Sequence, residues 1–201
     1  MRLPYMRLPN LIAVCGAKRS GKDVIADHLA EYGYENWKIA APLKRAAMDL
    51  FSFTHDQVEG AAKDEIDATF NVTPRAIMQY LGTDVMQFGI QSCVPGIGRT
   101  FWIDKLFRDV RDVSISRKIA ISDVRFPHEV AVIADKSPDY LLIKVIRPSL
   151  LNTASSTHLS EVEQEDIVPH IVLHNDGTLR DLVDKLDAAL LMYASHHASI
   201  Q

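Results

Sequence analysis

A chain of 201 residues with 47% hydrophobic and 24% charged side chains has the balance of a globular domain, which excludes a disordered tail, a collagen-like fibre and a small disulfide scaffold. With 22 basic and 26 acidic residues the formal charge is −4, so no overall basic field calls for nucleic acid or an anionic membrane, and a phosphate site has to be built locally. Two cysteines, Cys15 and Cys93, are too few for a secreted framework and lie in apolar stretches that suit reduced, buried thiols. No apolar run nears the roughly 20 residues of a membrane span, and none makes a signal-peptide core, so a cytoplasmic setting is expected. The repeated MRLP within residues 1–10 reads as an N-terminal extension, ahead of a single domain over 11–201.

Leu11 to Cys15 lacks polar alternation and reads as a strand buried on both faces. Lys22 to Tyr32 follows as a helix with Val24, Ile25, His28 and Leu29 on one side, stopped by Gly33. Trp37 to Ala40 is the expected second strand, and Pro42 to Phe51 a helix on the spacing of Leu43, Ala46, Ala47 and Leu50. No strand is plausible between Thr54 and Asn71. Thr73-Pro74 then opens a helix as N-cap and first-turn proline, with Ile77, Met78, Leu81 and Val85 inward. A loop over Val94 to Gly98 leads to a helix from Trp102 to Val113. Ile119 to Ser122, Tyr140 to Ile146 and Ile171 to Leu173 are further strands. Glu129 to Ala134 and Leu179 to Met192 are helical, and Pro148 to Glu165 is a polar insertion. Short apolar strands alternating with helices predict an α/β fold with a parallel sheet covered on both faces.

The most specific motif is Gly16-Ala17-Lys18-Arg19-Ser20-Gly21-Lys22-Asp23, a GxxxxGK string after the first strand and at a helix start. There the backbone amides wrap a phosphate, the positive helix end faces it, and Lys22 reaches the outer phosphates of a nucleoside triphosphate. The Ser/Thr that usually follows the lysine and holds magnesium is Asp23 here; a carboxylate can hold the hydrated ion through water, and it also suits a helix N-terminus with no ion at all. Asp123 ends a buried strand, where ligands of open α/β sheets gather, as a candidate magnesium acid, with Arg125 as a phosphate contact; a loop salt bridge is the alternative. Arg75 could clamp a second phosphate, although taken alone it reads as a helix-face charge. Trp102 fits beside a flat base or in a core equally well, with Arg99 across the adjoining loop. Lys63-Asp64 is an ordinary surface pair unless the fold turns it inward, and Arg147 either closes over phosphates or snorkels at the surface. The eight histidines form no metal signature, and no GxSxG or Cys/His pair offers a covalent nucleophile.

GAKRSGKD, IAAPLKRAA, TPRAIMQYLGTDVMQ, FWID, ISDVRFPHE, HLSEVE and HNDGTL follow in order, and together they resemble the deoxynucleoside monophosphate kinases of phages and large viruses, over Leu11 to Leu186. The resemblance implies the P-loop nucleoside monophosphate kinase fold: a five-stranded sheet, an acceptor-binding helical part over about 54–100 and a lid over about 148–165. It implies ATP and magnesium with a deoxynucleoside monophosphate as acceptor, and a small-molecule partner rather than nucleic acid or membrane. Association into a homodimer is left open. Carried onto this sequence, Gly16 to Asp23 bind the ATP phosphates, Asp23 and Asp123 serve the metal, and Lys22, Arg75, Asp123 and Arg125 form the reaction centre. Lys63, Arg75, Arg99, Trp102 and Arg147 belong to the acceptor site and lid, while Asn175 and Gly177 lie near the adenine. Val24 and His128 depart from the family's commonest pattern, standing where threonine and asparagine are usual. Two alternatives stay open: a kinase of the same fold acting on phosphomevalonate or dephospho-coenzyme A, and an ATP-binding module that transfers nothing.

Overall fold

The computed structural model describes residues 7–110, 117–150 and 162–198. They form five strands, β1 (Leu11–Cys15), β2 (Tyr34–Trp37), β3 (Lys118–Val124), β4 (Leu141–Ile146) and β5 (Ile171–His174), in one parallel sheet ordered β2-β3-β1-β4-β5. β1 sits between β3 and β4 with all five residues buried, which its unbroken apolar run requires. The α/β class and the parallel sheet of the sequence reading are therefore present. The chain divides into two compact units: the sheet unit, residues 1–38 and 111–201, and a helical unit, Ile39–Val110.

In the sheet unit, β1 passes through Gly16 to Ser20 into α1 (Lys22–Leu29), and a short tight turn over Ala30–Tyr32 ends at Gly33 in the left-handed region. The other helices are α6 (Pro127–Lys136) and α7 (Leu179–Ala198). Leu182, Leu186 and Leu190 are spaced at i, i+4 and i+8 along α7 and pack into one core with Ile25 and Leu29 of α1. At ~1.5–3 kcal/mol for each large apolar side chain removed from water, this seam is a main source of the unit's stability. Its polar edge is closed as well: His28 Nε2 and the Tyr32 hydroxyl both lie 2.7 Å from Asp187 Oδ1. Leu8 and Pro9, ahead of β1, are buried too, and Pro9 O accepts the Tyr34 hydroxyl.

The second strand is displaced from its expected place at Trp37 to Ala40. Gly33 turns the chain at φ 85°, so pairing with β3 begins at once, Tyr34 opposite Lys118, and ends with Trp37 opposite Ile121. Ile39 is still buried, but Ala40 already stands at the start of α2 (Ala41–Phe51). Apolar content marked the right neighbourhood, while the glycine set the register.

The helical unit contains α2, α3 (His55–Val58), α4 (Pro74–Gln79) and α5 (Phe101–Val110). Its core joins Ala47, Phe53, Val58 and Met78 with Leu43 and Ile77 at the margin. Thr73 caps α4 as its sequence predicts, Oγ1 accepting from Ala76 N at 3.1 Å. Leu50, expected at core spacing, is exposed. After Gln79 the helix continues with wider i→i+5 turns over Tyr80–Phe88. Widening rotates the inward face: Thr83 and Gln87 are buried beside Met78, and Leu81 and Val85 lie only partly covered. Cys15 is buried as expected, and burial pushes its thiol up to about 11, whereas Cys93 is exposed because its segment is a run of short turns rather than a packed helix. The predicted end of α5 beyond Val110 and most of the expected lid lie outside the described residues.

Candidate active site

The loop between β1 and α1 is shaped by two glycines. Gly16 has φ 141°, and a Cβ there would lie 2.3 Å from Val145 O and 2.9 Å from Ser20 Oγ. Gly21 has φ 112°, and its Cβ would press on Asn175 Nδ2 and Leu182 Cδ2 at 2.8 and 2.9 Å. Between them Arg19 also has a positive φ, 65°, a costly conformation for a residue with a side chain. Ser20 is fully buried, and its hydroxyl has no partner among the described residues. Lys22 folds back along the loop, Nζ donating to Gly16 O at 2.6 Å and Ala17 O at 2.7 Å.

Neighbouring strand ends support this loop from beneath. Asn175, buried just after β5, donates from Nδ2 to Ser20 O at 2.8 Å, and Arg147, just after β4, donates to Arg19 O at 3.4 Å. These two side chains thus hold backbone carbonyls of the loop in place. Gly177 is exposed at the entry to α7, where Thr178 and Asp181 cap each other: Thr178 N donates to Asp181 Oδ2 at 2.7 Å, and Asp181 N to Thr178 Oγ1 at 3.2 Å.

The β1–β3 register brings the second motif to the same end of the sheet. Cys15 lies opposite Val124 after a local shift in pairing, so Asp123, the penultimate residue of β3, stands beside the start of the loop. Asp23, largely exposed in the first turn of α1, pairs with Lys38 at 3.1 Å. Val24 is half-buried against the α1–α7 core, and the His128 ring stacks on Phe126 with centroids 5.0 Å apart.

The sequence reading missed Glu129. It is 4% exposed, and its Oε2 accepts from both Arg125 N at 2.8 Å and Phe126 N at 3.0 Å. Glutamate at the third position of a helix, reaching back to amides at its start, has a visible signal in Phe126-Pro127-His128-Glu129. Burial pushes its carboxyl up to about 7; the two amides oppose that rise, the Asp123 charge adds to it and Arg125 opposes it. Because the folded chain holds this proton more tightly than the unfolded chain, Glu129 favours folding at low pH, and that advantage fades as pH climbs from about 4.5 to about 7. Glu129→Gln retains an oxygen for both amides and cannot ionise. Urea unfolding between pH 5 and 8 is expected to show a flatter pH dependence for the variant, by on the order of 2–3 kcal/mol over the range. Parallel curves for the two proteins would remove Glu129 as the source.

In the helical unit, Arg75 makes a two-pronged ion pair with Asp64, and Lys63 Nζ donates to Glu59 O at 3.1 Å. Arg99 Nε donates to Gln87 Oε1 at 3.3 Å, and its guanidinium lies 4.9 Å from the centre of the Phe88 ring. Trp102 is half-buried, its indole donating to Gly82 O at 2.8 Å. Of the expected site residues, the fold therefore gathers Gly16 to Asp23, Asp123, Arg125, Arg147 and Asn175 at one end of the sheet. Arg75 with Lys63, and Arg99 with Trp102, occur as two groups on the helical unit.

A family model described as deoxynucleotide monophosphate kinase matches residues 47–186. A protein of Acanthamoeba polyphaga mimivirus named "Putative deoxynucleotide monophosphate kinase" is 32% identical over 184 residues, covering 88% of this chain and 93% of that one. Similar solved structures include shikimate kinase from Aquifex aeolicus, at 12% identity and TM-score 0.48 over 92% of this chain and 98% of that one. Dephospho-CoA kinase from Campylobacter jejuni has 10% identity and TM-score 0.48 over 94% and 98%. Likenesses of that size add nothing to the strand order. The family match spans the capped α4, the FWID helix and the Asp123–Glu129 turn, while the viral relative extends along most of the chain: the protein belongs to the deoxynucleotide monophosphate kinase family of phosphotransferases.

Proposed function

We propose that the chain transfers the terminal phosphoryl group of ATP to a deoxynucleoside monophosphate, giving ADP and a deoxynucleoside diphosphate. The observation that carries this reading is the loop of Gly16 to Lys22 at the start of α1, with Asp123 the penultimate residue of the neighbouring strand β3 and Arg125 just after it. Such chemistry depends on neutralising charge rather than on a covalent nucleophile, because the acceptor's phosphate oxygen is already anionic near neutral pH.

In this reading the loop amides hold the donor's phosphates, and Lys22 leaves the Gly16 and Ala17 carbonyls to meet the transferred group. Arg125 offsets charge on the equatorial oxygens, and Arg75, released from Asp64, takes the acceptor phosphate in a bidentate grip. Trp102 borders the acceptor. The carboxylates of Asp23 and Asp123 are hard oxygen donors of the kind hydrated magnesium accepts. Magnesium, when bound, supplies charge neutralisation at the transferred phosphates. The partner in this reading is a small nucleotide rather than nucleic acid or membrane.

A coupled ADP-release assay tests the proposal with the four common deoxynucleoside monophosphates, their ribose counterparts, phosphomevalonate and dephospho-coenzyme A. ADP release with the deoxynucleotides is the expected result. Release with phosphomevalonate or the coenzyme precursor alone would overturn the acceptor assignment. Tight ATP binding without transfer to any acceptor would make the chain a nucleotide-binding module.

A further inference from the structure

The peptide group between Val124 and Arg125, where β3 ends, is gripped at both of its polar atoms by buried side chains. On one side Gln164 Nε2 donates to Val124 O at 3.2 Å; on the other Glu129 Oε2 accepts from Arg125 N at 2.8 Å. Gln164 is 6% exposed and Glu129 4%. Glu129 reaches back from α6, whereas Gln164 comes from the short turn Glu163–Asp166, 40 positions from Val124 in the chain. In that acidic turn the one uncharged residue is the one that is buried. Gln164 is itself anchored: its O accepts from Lys144 Nζ at 3.3 Å and from the amide of buried Ile167 at 3.4 Å. Lys144 and Val124 both lie opposite Cys15, so Gln164 bridges the two strands that flank the last residue of β1, just ahead of Gly16.

A peptide group is planar, so holding its oxygen and its N–H fixes the rotations on either side of it. Pairing with Cys15 already sets the register of Val124. The clamp acts one bond later, on the direction in which Arg125 leaves the strand. We infer that Gln164, acting against Glu129, is a positioning residue for phosphoryl transfer: it locks the Val124–Arg125 peptide and so holds Arg125 against the charge that develops on the transferred group. The inference rests on the kinase reading above. A preorganised cation stabilises that charge without reorganising, and a displacement of about 1 Å can cost on the order of 100-fold in rate.

The test measures the single-turnover rate at saturating substrates and the Kd for ATP, beside thermal unfolding, with the deoxynucleoside monophosphate that gives the fastest ADP release. It compares the wild type, Gln164→Met, Arg125→Ala and the double variant. Gln164→Met keeps the length of the side chain and loses the donor. It is expected to lower the rate by about tenfold or more while the Kd for ATP stays within about twofold, because Arg125 acts on charge absent from the ground state. In the Arg125→Ala background the same substitution should lower the rate no further, since the group it positions is gone. A merely structural role would give the same fold-loss in both backgrounds. That result, or a folded Gln164→Met with the wild-type rate, overturns the inference while transfer by the wild type upholds the kinase reading. Gln164→Glu, which sets a carboxylate against Val124 O, should reproduce the loss; failure of both variants to fold would assign Gln164 to stability and overturn the inference as well. A wild type that transfers to no acceptor removes both.

Discussion

Replacing Lys22 by alanine is expected to lower turnover by about 100- to 1,000-fold, the loss typical of deleting one preorganised group aimed at developing charge. The chain should remain folded. In the structure the ammonium donates to two loop carbonyls, Gly16 O and Ala17 O, from a partly exposed position, and such contacts contribute ~1 kcal/mol net. For a chain of this size that is a shift of roughly 2–4 °C in thermal midpoint. Lys22→Arg should fail to restore the rate, because a planar fork cannot occupy the place of a compact ammonium. Single-turnover transfer from ATP, measured beside a melting curve, separates the two effects. A Lys22→Ala protein with normal turnover would take Lys22 out of the chemistry.

Gly16→Ala is expected to cost about 3 kcal/mol or more of stability and to abolish nucleotide binding by the loop. Two penalties coincide at this position. The backbone has φ 141°, and the added Cβ would meet Val145 O at 2.3 Å. Val145 belongs to β4, which is paired on one side with β1 and on the other with β5, so that carbonyl cannot withdraw without breaking the sheet. Gly33→Ala is the control: φ is 85°, but a Cβ there meets nothing within 4 Å, so it should cost only ~1 kcal/mol. Urea unfolding of the two variants reads the difference. Equal losses would mean that conformational strain alone accounts for Gly16 and that the strand does not confine the loop.

Local sequence carried several features because their causes are local. An unbroken apolar pentapeptide has to be a covered strand, a glycine-punctuated turn before an amphipathic segment has to open a helix, and Thr73-Pro74 caps α4 through contacts within four residues. The Glu129 back-reach is equally local, a glutamate at the third helical position bonding the amides of Arg125 and Phe126, and is equally written in Phe126 to Glu129. Other features have causes distant in the chain. Asn175 donates to Ser20 across 155 positions, and Arg147 to Arg19 across 128, so no pattern near either residue reveals it as a support of the loop between β1 and α1. Thr83 and Gln87 reach the buried side only because the helix widens after Gln79, which apolar spacing at 3.6 residues per turn cannot show.

By itself the sequence determined the alternation of strands and helices, the glycine loop after β1, and the family, since these depend on short-range sterics, burial periodicity and ordered motifs. Only the tertiary structure decided the strand order, the place of β2, the exposure of Cys93 and the partners of Asn175 and Gln87. Those depend on which distant segments meet. A hydrogen bond or a covered face is a property of a pair of surfaces, and one chain segment states only its own half.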